Sequence, residues 1–399
     1  MSNSLWHTRA TPLPAETDCV VVGAGIAGIS AALALESQNL SILVLDQRYP
    51  GWGASGRNAG FLMRGAADNY AAAVRDLGRE PAKALWTLTE DNLARLRALG
   101  IDRIPEYRAQ PSCLVAFDDT EAAELEQSAT LLAEDGFAVE TRNPSDHARD
   151  ALWTHAPPLL GLVNPDDAVC DPVELLAWLR AMLQRQPRTE TTVLQIHHAD
   201  GTFSVRTTRG DIRCQHVLLC TNAYTRSLLP NLATTIAPNR GQMLALDASE
   251  LPAPERLEFA YYANHGSEYF RQPDDKTIIV GGWRKHFASD ERTDDNRPST
   301  PVQQGLEDFA ARVLGRRLPV VHRWAGTMAF TPDGLPLAGP LVTDDSQSPS
   351  NSPWICAGFT GHGMSMAHDL ATRTALAMCD PDATDKIPDL FSPSRFANA

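Results

Sequence analysis

The sequence predicts an α/β protein with a Rossmann-type βαβ unit near its start and a second part built on an antiparallel sheet. Three observations carry this. Cys19-Val20-Val21-Val22 is a short, apolar, β-branched run broken by Gly23, the pattern of a parallel strand buried on both faces. Ser41-Ile42-Leu43-Val44-Leu45-Asp46 repeats the pattern one helix later and completes a βαβ unit. From Arg240 the texture changes, and GQMLAL, EYFRQ and TIIVGGW read as long antiparallel strands.

The elements follow in order. Residues 1–16 read as an irregular arm with Trp6, Pro12 and Pro14, and without the apolar core of a signal peptide. A helix runs from Gly25 to Ser37, with Ile26, Ile29, Ala32, Leu33 and Leu35 as its apolar positions. Residues 51–65 form a glycine-dense loop, and helical pattern dominates 69–99. Cys113 to Phe117 reads as a strand, and 120–135 as a helix. Asp171 is placed to cap a helix with Pro172 in its first turn. TTVLQI, TFSVRTT and HVLLCTN form a meander that returns to the parallel sheet. A charged helix over 301–314 follows, then a polar loop over 342–353. The end is a strand at 354–357, the turn GFTGHG and a helix over 364–378.

The chain of 399 residues has room for two domains and buries a large core without disulfide or metal staples. The formal charge of -14 repels nucleic acid and anionic membrane, which excludes both as partners. It attracts cations, and it also serves solubility alone. No window approaches the ~18 apolar residues of a membrane span. None of the seven cysteines forms a CxxC pair and most sit in apolar runs, which favours reduced thiols and a cytoplasmic location. His197-His198 reads as a solvated strand edge, and no metal is expected.

GAGIAG places Gly23, Gly25 and Gly28 in the GxGxxG spacing, with Ile26 and Ala27 between the last two. Gly23 permits the tight turn, Gly25 lets the backbone approach a pyrophosphate, and Gly28 lets helix and strand pack closely. The phosphates then meet free N–H groups at the positive end of the helix dipole. Asp46 ends the second strand where a carboxylate accepts hydrogen bonds from ribose hydroxyls, with Gln47 and Arg48 beside it. A lone GxGxxG is weak, but here it lies between strand and helix and is completed by an acid. It predicts a dinucleotide and does not by itself separate FAD from NAD.

Five blocks then carry a resemblance: VVVGAGIAG, GASGRNAG at 53–60, VLLCTNAYT at 217–225, RWAGTMAFTPDGLPLAG at 323–339 and WICAGFTGHGMSMA at 354–367, with RGQ at 240–242 in agreement. In this order the chain resembles the D-amino-acid oxidase superfamily of FAD enzymes, in its glycine/sarcosine oxidase and gamma-glutamylputrescine oxidase branches. The resemblance implies non-contiguous domains. Segments 17–80, 150–235 and 322–380 form a Rossmann-type FAD-binding domain, and 81–149 with 236–321 form an interleaved α+β substrate domain whose antiparallel sheet roofs the flavin. Residues 381–399 are a tail. It implies that Gly53, Ala54, Ser55, Arg57, Asn58, Ala59 and Gly60 lie along the cofactor, with Ser55, Arg57 and Asn58 as donors. Val193 is implied at the adenine, and Thr221, Asn222, Ala223, Trp324 and Gly326 along the rest. Gly361, His362, Gly363 and Met364 make a turn whose N–H groups and following helix suit the N1/C2 carbonyl edge of a flavin.

One departure speaks to substrate. Amino-acid-oxidising relatives carry a carboxylate-clamping arginine, and covalent sarcosine oxidases a flavin-linked cysteine, where this chain has Met328. Methionine does neither, so non-covalent FAD is expected, with an amine favoured over a simple α-amino acid. Arg64 and Arg271 remain as possible carboxylate partners. Tyr261, Tyr262, Tyr269 and Trp283 are roof candidates for apolar and cation–π walls, each also readable as sheet packing. His362, Tyr262, Tyr269 and Arg271 are the expected catalytic residues on the substrate side. The expected reaction is oxidation of a C–N bond by hydride transfer to flavin N5, with dioxygen as acceptor and peroxide as product. Lys276 and Lys285 are the lysines considered for promoting oxygen reduction. A dehydrogenase using a quinone or protein acceptor, and a non-catalytic flavin-binding accessory protein, are the alternatives.

Overall fold

A computed structural model describes residues 12–147, 153, 156–252, 257–341, 351–380, 382–384 and 386–396. Trp6 and most of the expected arm lie outside these residues, as does 342–350 of the expected polar loop. Two large sheets organise the chain. In the first, of seven strands, Glu16–Val22 is an interior strand, pairing in parallel with Ile42–Leu45 on one side and Gly210–Leu219 on the other. Gly210–Leu219 continues in parallel to Trp354–Ala357, while its first half pairs antiparallel with Thr202–Thr207. The meander therefore returns to the parallel sheet as expected.

The β-branched run at the start is explained by what lies on its two faces. Cys19 and Val21 pack with the helices Ile26–Glu36 and Gly363–Cys379, while Val20 and Val22 pack with Phe203, Val205 and Ile355. A strand covered on both faces has no reason to alternate polar and apolar.

The second sheet has eight strands and is antiparallel except where Ala260–Ala263 runs parallel to Ser112–Ala116. One face packs on the helix Thr300–Leu314 through Val302, Leu306 and Phe309. The other turns Met243, Tyr262 and Tyr269 towards Ala59, Phe61 and Met63 of the glycine-dense loop. This second face roofs the site.

Two strands sit differently from the expected segments. Leu160–Asn164 and Val320–Phe330, placed by the boundaries above with the first unit, are hydrogen-bonded into the eight-stranded sheet. Apolar pattern names a strand but not the sheet it joins. The helical stretch 69–99 divides into Tyr70–Leu77 and Arg79–Leu99 at Gly78, whose φ of 90° closes the first helix. Asp171 caps its helix as read, accepting from the Val173 and Glu174 amides.

Candidate functional site

A cleft of about 450 Å³ opens between the two sheets. Its floor is the GxGxxG turn. Gly23 has φ 106°, and a Cβ there would lie 2.5 Å from the Cys220 carbonyl oxygen. At Gly28 a Cβ would meet the Gly23 carbonyl oxygen at 1.8 Å, so helix and strand approach as the motif requires. Gly25, Ile26 and Ala27 line the cleft, and Gly25 brings no side-chain cap to the helix Ile26–Glu36. The first turn is free of acidic residues, so its positive end faces the cleft without a built-in counter-charge.

Asp46 lines the same wall beside Gln47. Its Oδ2 accepts the Ala24 amide at 2.7 Å and its Oδ1 the Arg48 amide at 2.7 Å. Burial pushes its pKa up, and the two amides pull it back in part. Arg48 itself lies outside the cleft lining and stacks over Trp52 at 5.4 Å.

The GASGRN loop crosses this floor. Ser55 Oγ accepts the Ile26 amide at 3.0 Å, tying loop to motif. Arg57 and Asn58 line the cleft, but their donors are largely spent on the backbone. Arg57 donates to the Trp52 and Ala325 carbonyls at 2.7 and 2.9 Å, and Asn58 to those of Ala54 and Ser55. They shape the loop more than they offer themselves to a ligand. Gly53, Ala54 and Ala59 line the cleft, whereas Gly60 sits behind it against the Cys170 carbonyl. Trp324 also stays behind, donating to the Arg57 carbonyl at 3.0 Å, while Gly326 lines the cleft.

Val193 lines the far end with Thr191 and Thr192. Thr221 and Asn222 form a side wall, and Ala223 is buried just beneath. Asn222 (φ 46°) and Thr360 (φ 45°) both occupy the left-handed region without being glycine, and both line the cleft. Strain of this kind collects where surrounding structure fixes a functional geometry. The Asn222 amide oxygen holds the Gly358 amide at 3.0 Å, which fixes the start of the GFTGHG turn. Gly361, His362, Gly363 and Met364 complete the wall. His362 stands at the N-terminus of Gly363–Cys379 without a side-chain cap, so a second positive helix end opens onto the cleft.

Most of the expected cofactor residues line this one cleft, with Arg48, Gly60 and Trp324 among those outside its lining, and its shape fits a dinucleotide flavin. It has two unopposed helix N-termini, close-approach glycines and an acid at the ribose position.

The roof carries the residues expected on the substrate side. Tyr262 and Tyr269 face each other across adjacent strands, ring centroids 5.6 Å apart, with Phe61 edge-on to both. Burial raises both phenol pKa values, that of Tyr269 to about 12, so both stay protonated. Tyr261 is no part of this wall. Strand alternation sends it into the opposite core, stacked on Phe270 at 5.0 Å. Trp283 packs into that core as well.

Three further expectations are corrected. Arg271 does not line the cleft; its guanidinium is held by the Ala59 carbonyl at 2.5 Å and that of Cys170 at 2.9 Å. Arg64 is likewise taken up by Glu90, the Ala138 carbonyl and Asn164. Lys276 and Lys285 are exposed and neither lines the cleft.

Sequence reasoning missed Arg284. It lines the cleft with Tyr262, Tyr269 and Met328, and its guanidinium sits 4.6 Å from the Phe330 ring centre. Burial lowers its pKa, and among the described residues it has neither an ion pair nor a hydrogen-bond partner. It is a half-buried cation lining the cleft, on which Glu268 acts only at a distance and with which no acid among the described residues forms an ion pair. Met328 also lines the cleft, 3.3 Å from the position a Cβ on Gly361 would take.

Among the described residues no helix is long and apolar enough to cross a membrane, and all seven cysteines are free. A family model described as "FAD dependent oxidoreductase" (DAO) matches residues 18–375. Gamma-glutamylputrescine oxidoreductase of Escherichia coli is 26% identical over 385 residues, covering 92% of this chain and 84% of that one. Glycine oxidase of Pseudomonas aeruginosa is 26% identical over 359 residues, covering 87% and 91%. Among solved structures, L-proline dehydrogenase from P.horikoshii superimposes with a TM-score of 0.78 at 19% identity, covering 96% of this chain and 98% of that one. Glycine oxidase from Geobacillus kaustophilus gives 0.77 at 19% identity, covering 95% and 98%.

Proposed function

Because the chain belongs to the DAO family of FAD-dependent oxidoreductases, we propose that it oxidises the C–N bond of an amino compound in the cleft beneath Tyr262 and Tyr269, with dioxygen as the final acceptor. The unpartnered guanidinium of Arg284 in that cleft carries the reading, since an anionic group on the substrate gives it a counter-ion. This shifts the expectation drawn from Met328: the cleft keeps a cation, supplied by another segment. Bound FAD supplies the hydride acceptor. The C–H bond next to nitrogen breaks, its electron pair leaves with the hydrogen, and the nitrogen lone pair closes a C=N bond. Water then releases a carbonyl compound and the amine. Dioxygen takes the two electrons with two protons and leaves as hydrogen peroxide.

The chain's own residues prepare the substrate. The aromatic pair and Phe61 exclude water and offer π faces to the amine. Hydride leaves only from the neutral amine, so a proton must first be lost. Burial pulls His362 below its ordinary pKa, so the ring is neutral near pH 7. In the tautomer that donates from Nδ1 to the Thr360 carbonyl, 3.3 Å away, Nε2 is left to accept a hydrogen bond from the neutral amine, whose ammonium proton is lost to solvent on entry. The seven-stranded sheet with its helices makes the cofactor unit in this reading, and the eight-stranded sheet the substrate unit.

The test is anaerobic mixing of the yellow holoprotein with amines and amino acids, followed by air. Loss of the visible flavin band, then peroxide equal to substrate consumed, is expected. Bleaching without peroxide assigns the dehydrogenase alternative, and a flavin that no substrate bleaches overturns the proposal. Arg284→Gln is expected to lower kcat/KM for carboxylate-bearing substrates by about 10–100-fold, the worth of one charge-assisted hydrogen bond, and to spare simple amines. With Met328 in the cleft wall, acid precipitation is expected to leave the flavin in the supernatant. Flavin that stays with the pellet defeats the non-covalent assignment.

A further inference from the structure

A second cavity of about 240 Å³ abuts the first, and Tyr262, Gly266 and His362 line both. One part of its wall is apolar, formed by Met63, Trp86, Leu125 and Leu132. The other part is acidic, formed by Asp68, Glu121 and Glu124. Glu121 is the unusual member. It is 4% exposed, its Oε1 accepts the His265 amide at 2.5 Å, and its Oε2 is buried with no hydrogen-bond partner. Burial pushes its pKa up, and the amide and ring of His265 and the Phe117 amide offset this only in part, which leaves a charge there incompletely compensated. The two arginines in the wall do not supply that compensation, because Arg64 pairs with Glu90 and Arg75 with Asp76. Glu124 contacts only the His265 ring, at 3.5 Å, among ionisable groups. A buried carboxylate oxygen with no donor calls for a cation from outside the chain.

Resting on the function proposed above, we propose that the second cavity is a distal subsite for an aliphatic ammonium group, so that the substrate is a diamino compound oxidised at one nitrogen and held at the other by Glu121. The apolar wall takes the methylene chain, and the orphaned oxygen takes the ammonium donor. The shared residues Tyr262 and His362 stand where such a chain passes from one cavity to the other. The chain's charge of -14 favours arrival of a cation. A rival occupant is a divalent metal, since Asp118, Glu121 and His265 bring ligand atoms within 4.8 Å of one another. Asp118, however, already caps the helix Asp119–Glu134 through the Glu121 amide and does not line the cavity.

The holoprotein is tested with matched probes differing only in the far nitrogen: butylamine against butanediamine, and norleucine against lysine in each enantiomer. Anaerobic flavin reduction gives rates, and calorimetry gives affinities independently of turnover. The diamino member of at least one pair is expected to bind and react about tenfold better or more, the worth of a charge-assisted hydrogen bond. Glu121→Gln keeps the side-chain shape and the bond to the His265 amide, and is expected to erase that preference while leaving the mono-amino probes unchanged. Equal binding of both members of each pair overturns the subsite, as does a preference that survives in Glu121→Gln. Zinc chloride binding that is lost in Glu121→Gln and displaces butanediamine assigns the metal instead. If mono-amino probes bleach the flavin without any pair preference, only the subsite fails. If nothing bleaches it, the functional proposal fails and calorimetry still decides the subsite.

Discussion

Gly28→Ala is expected to yield protein without bound flavin, or no soluble protein. The added methyl would lie 1.8 Å from the Gly23 carbonyl oxygen, a backbone atom that cannot swing aside. Helix Ile26–Glu36 must then move off the strand Glu16–Val22, taking the amides of Ile26 and Ala27 away from the cleft. Overpacking of this kind costs about 1–3 kcal/mol before any cofactor contact is lost, and a backbone clash sits at the upper end. Flavin absorbance per polypeptide and a thermal melt measure both effects. Wild-type flavin content and melting temperature in this variant would show that the close approach at Gly28 is not required.

The second large effect lies in the roof. Arg240 and Glu291 form a bidentate pair, both contacts 2.7 Å, and Glu291 is fully buried. Gln242 Nε2 donates to both Glu291 oxygens at 2.9 Å. The network joins strand Ala237–Asp247 to the connection that carries Arg284. Glu291→Ala leaves a buried guanidinium without its partner, and a loss of about 3–5 kcal/mol is expected, read as a lower denaturant midpoint. Burial raises the Glu291 carboxyl, but the bonds from Arg240 and Gln242 outweigh it and hold the pKa below its ordinary value. Its contribution is therefore present above the unfolded-state pKa, near 4.3, and is lost as pH falls through the lower folded value. A wild-type-like stability at pH 7 in Glu291→Ala would contradict the assignment.

Glycine spacing made the cofactor floor legible in the sequence. Gly23, Gly25 and Gly28 are dictated by backbone contacts that no other residue permits, so the pattern survives without knowledge of the fold. Asp46 was legible because strand end and helix length fix its distance from the turn. The proposed substrate side was only half legible. Tyr262 and Tyr269 could be named, but period-2 alternation does not say which face is the roof, and Tyr261 proved to be core. Arg271 lies on the strand Glu268–Asp274 two places beyond Tyr269, yet the carbonyls of Ala59 and Cys170 capture it before it reaches the cleft. Arg284 follows Trp283, a non-glycine at φ 64°, and nothing in GWRKHF tells which of its cations that turn sends inward. Glu121 reads as an ordinary first-turn acid of an amphipathic helix; only the neighbouring strands turn it into a buried carboxylate.

The helices Ile26–Glu36 and Gly363–Cys379 pack against each other and end, positive pole first, on one cleft. One pole suits the phosphates and the other the carbonyl edge of the flavin ring, so a single bound FAD is expected to be stabilised by both helix ends at once. Binding that favours the folded chain over the unfolded one is expected to raise the melting temperature as free FAD is added.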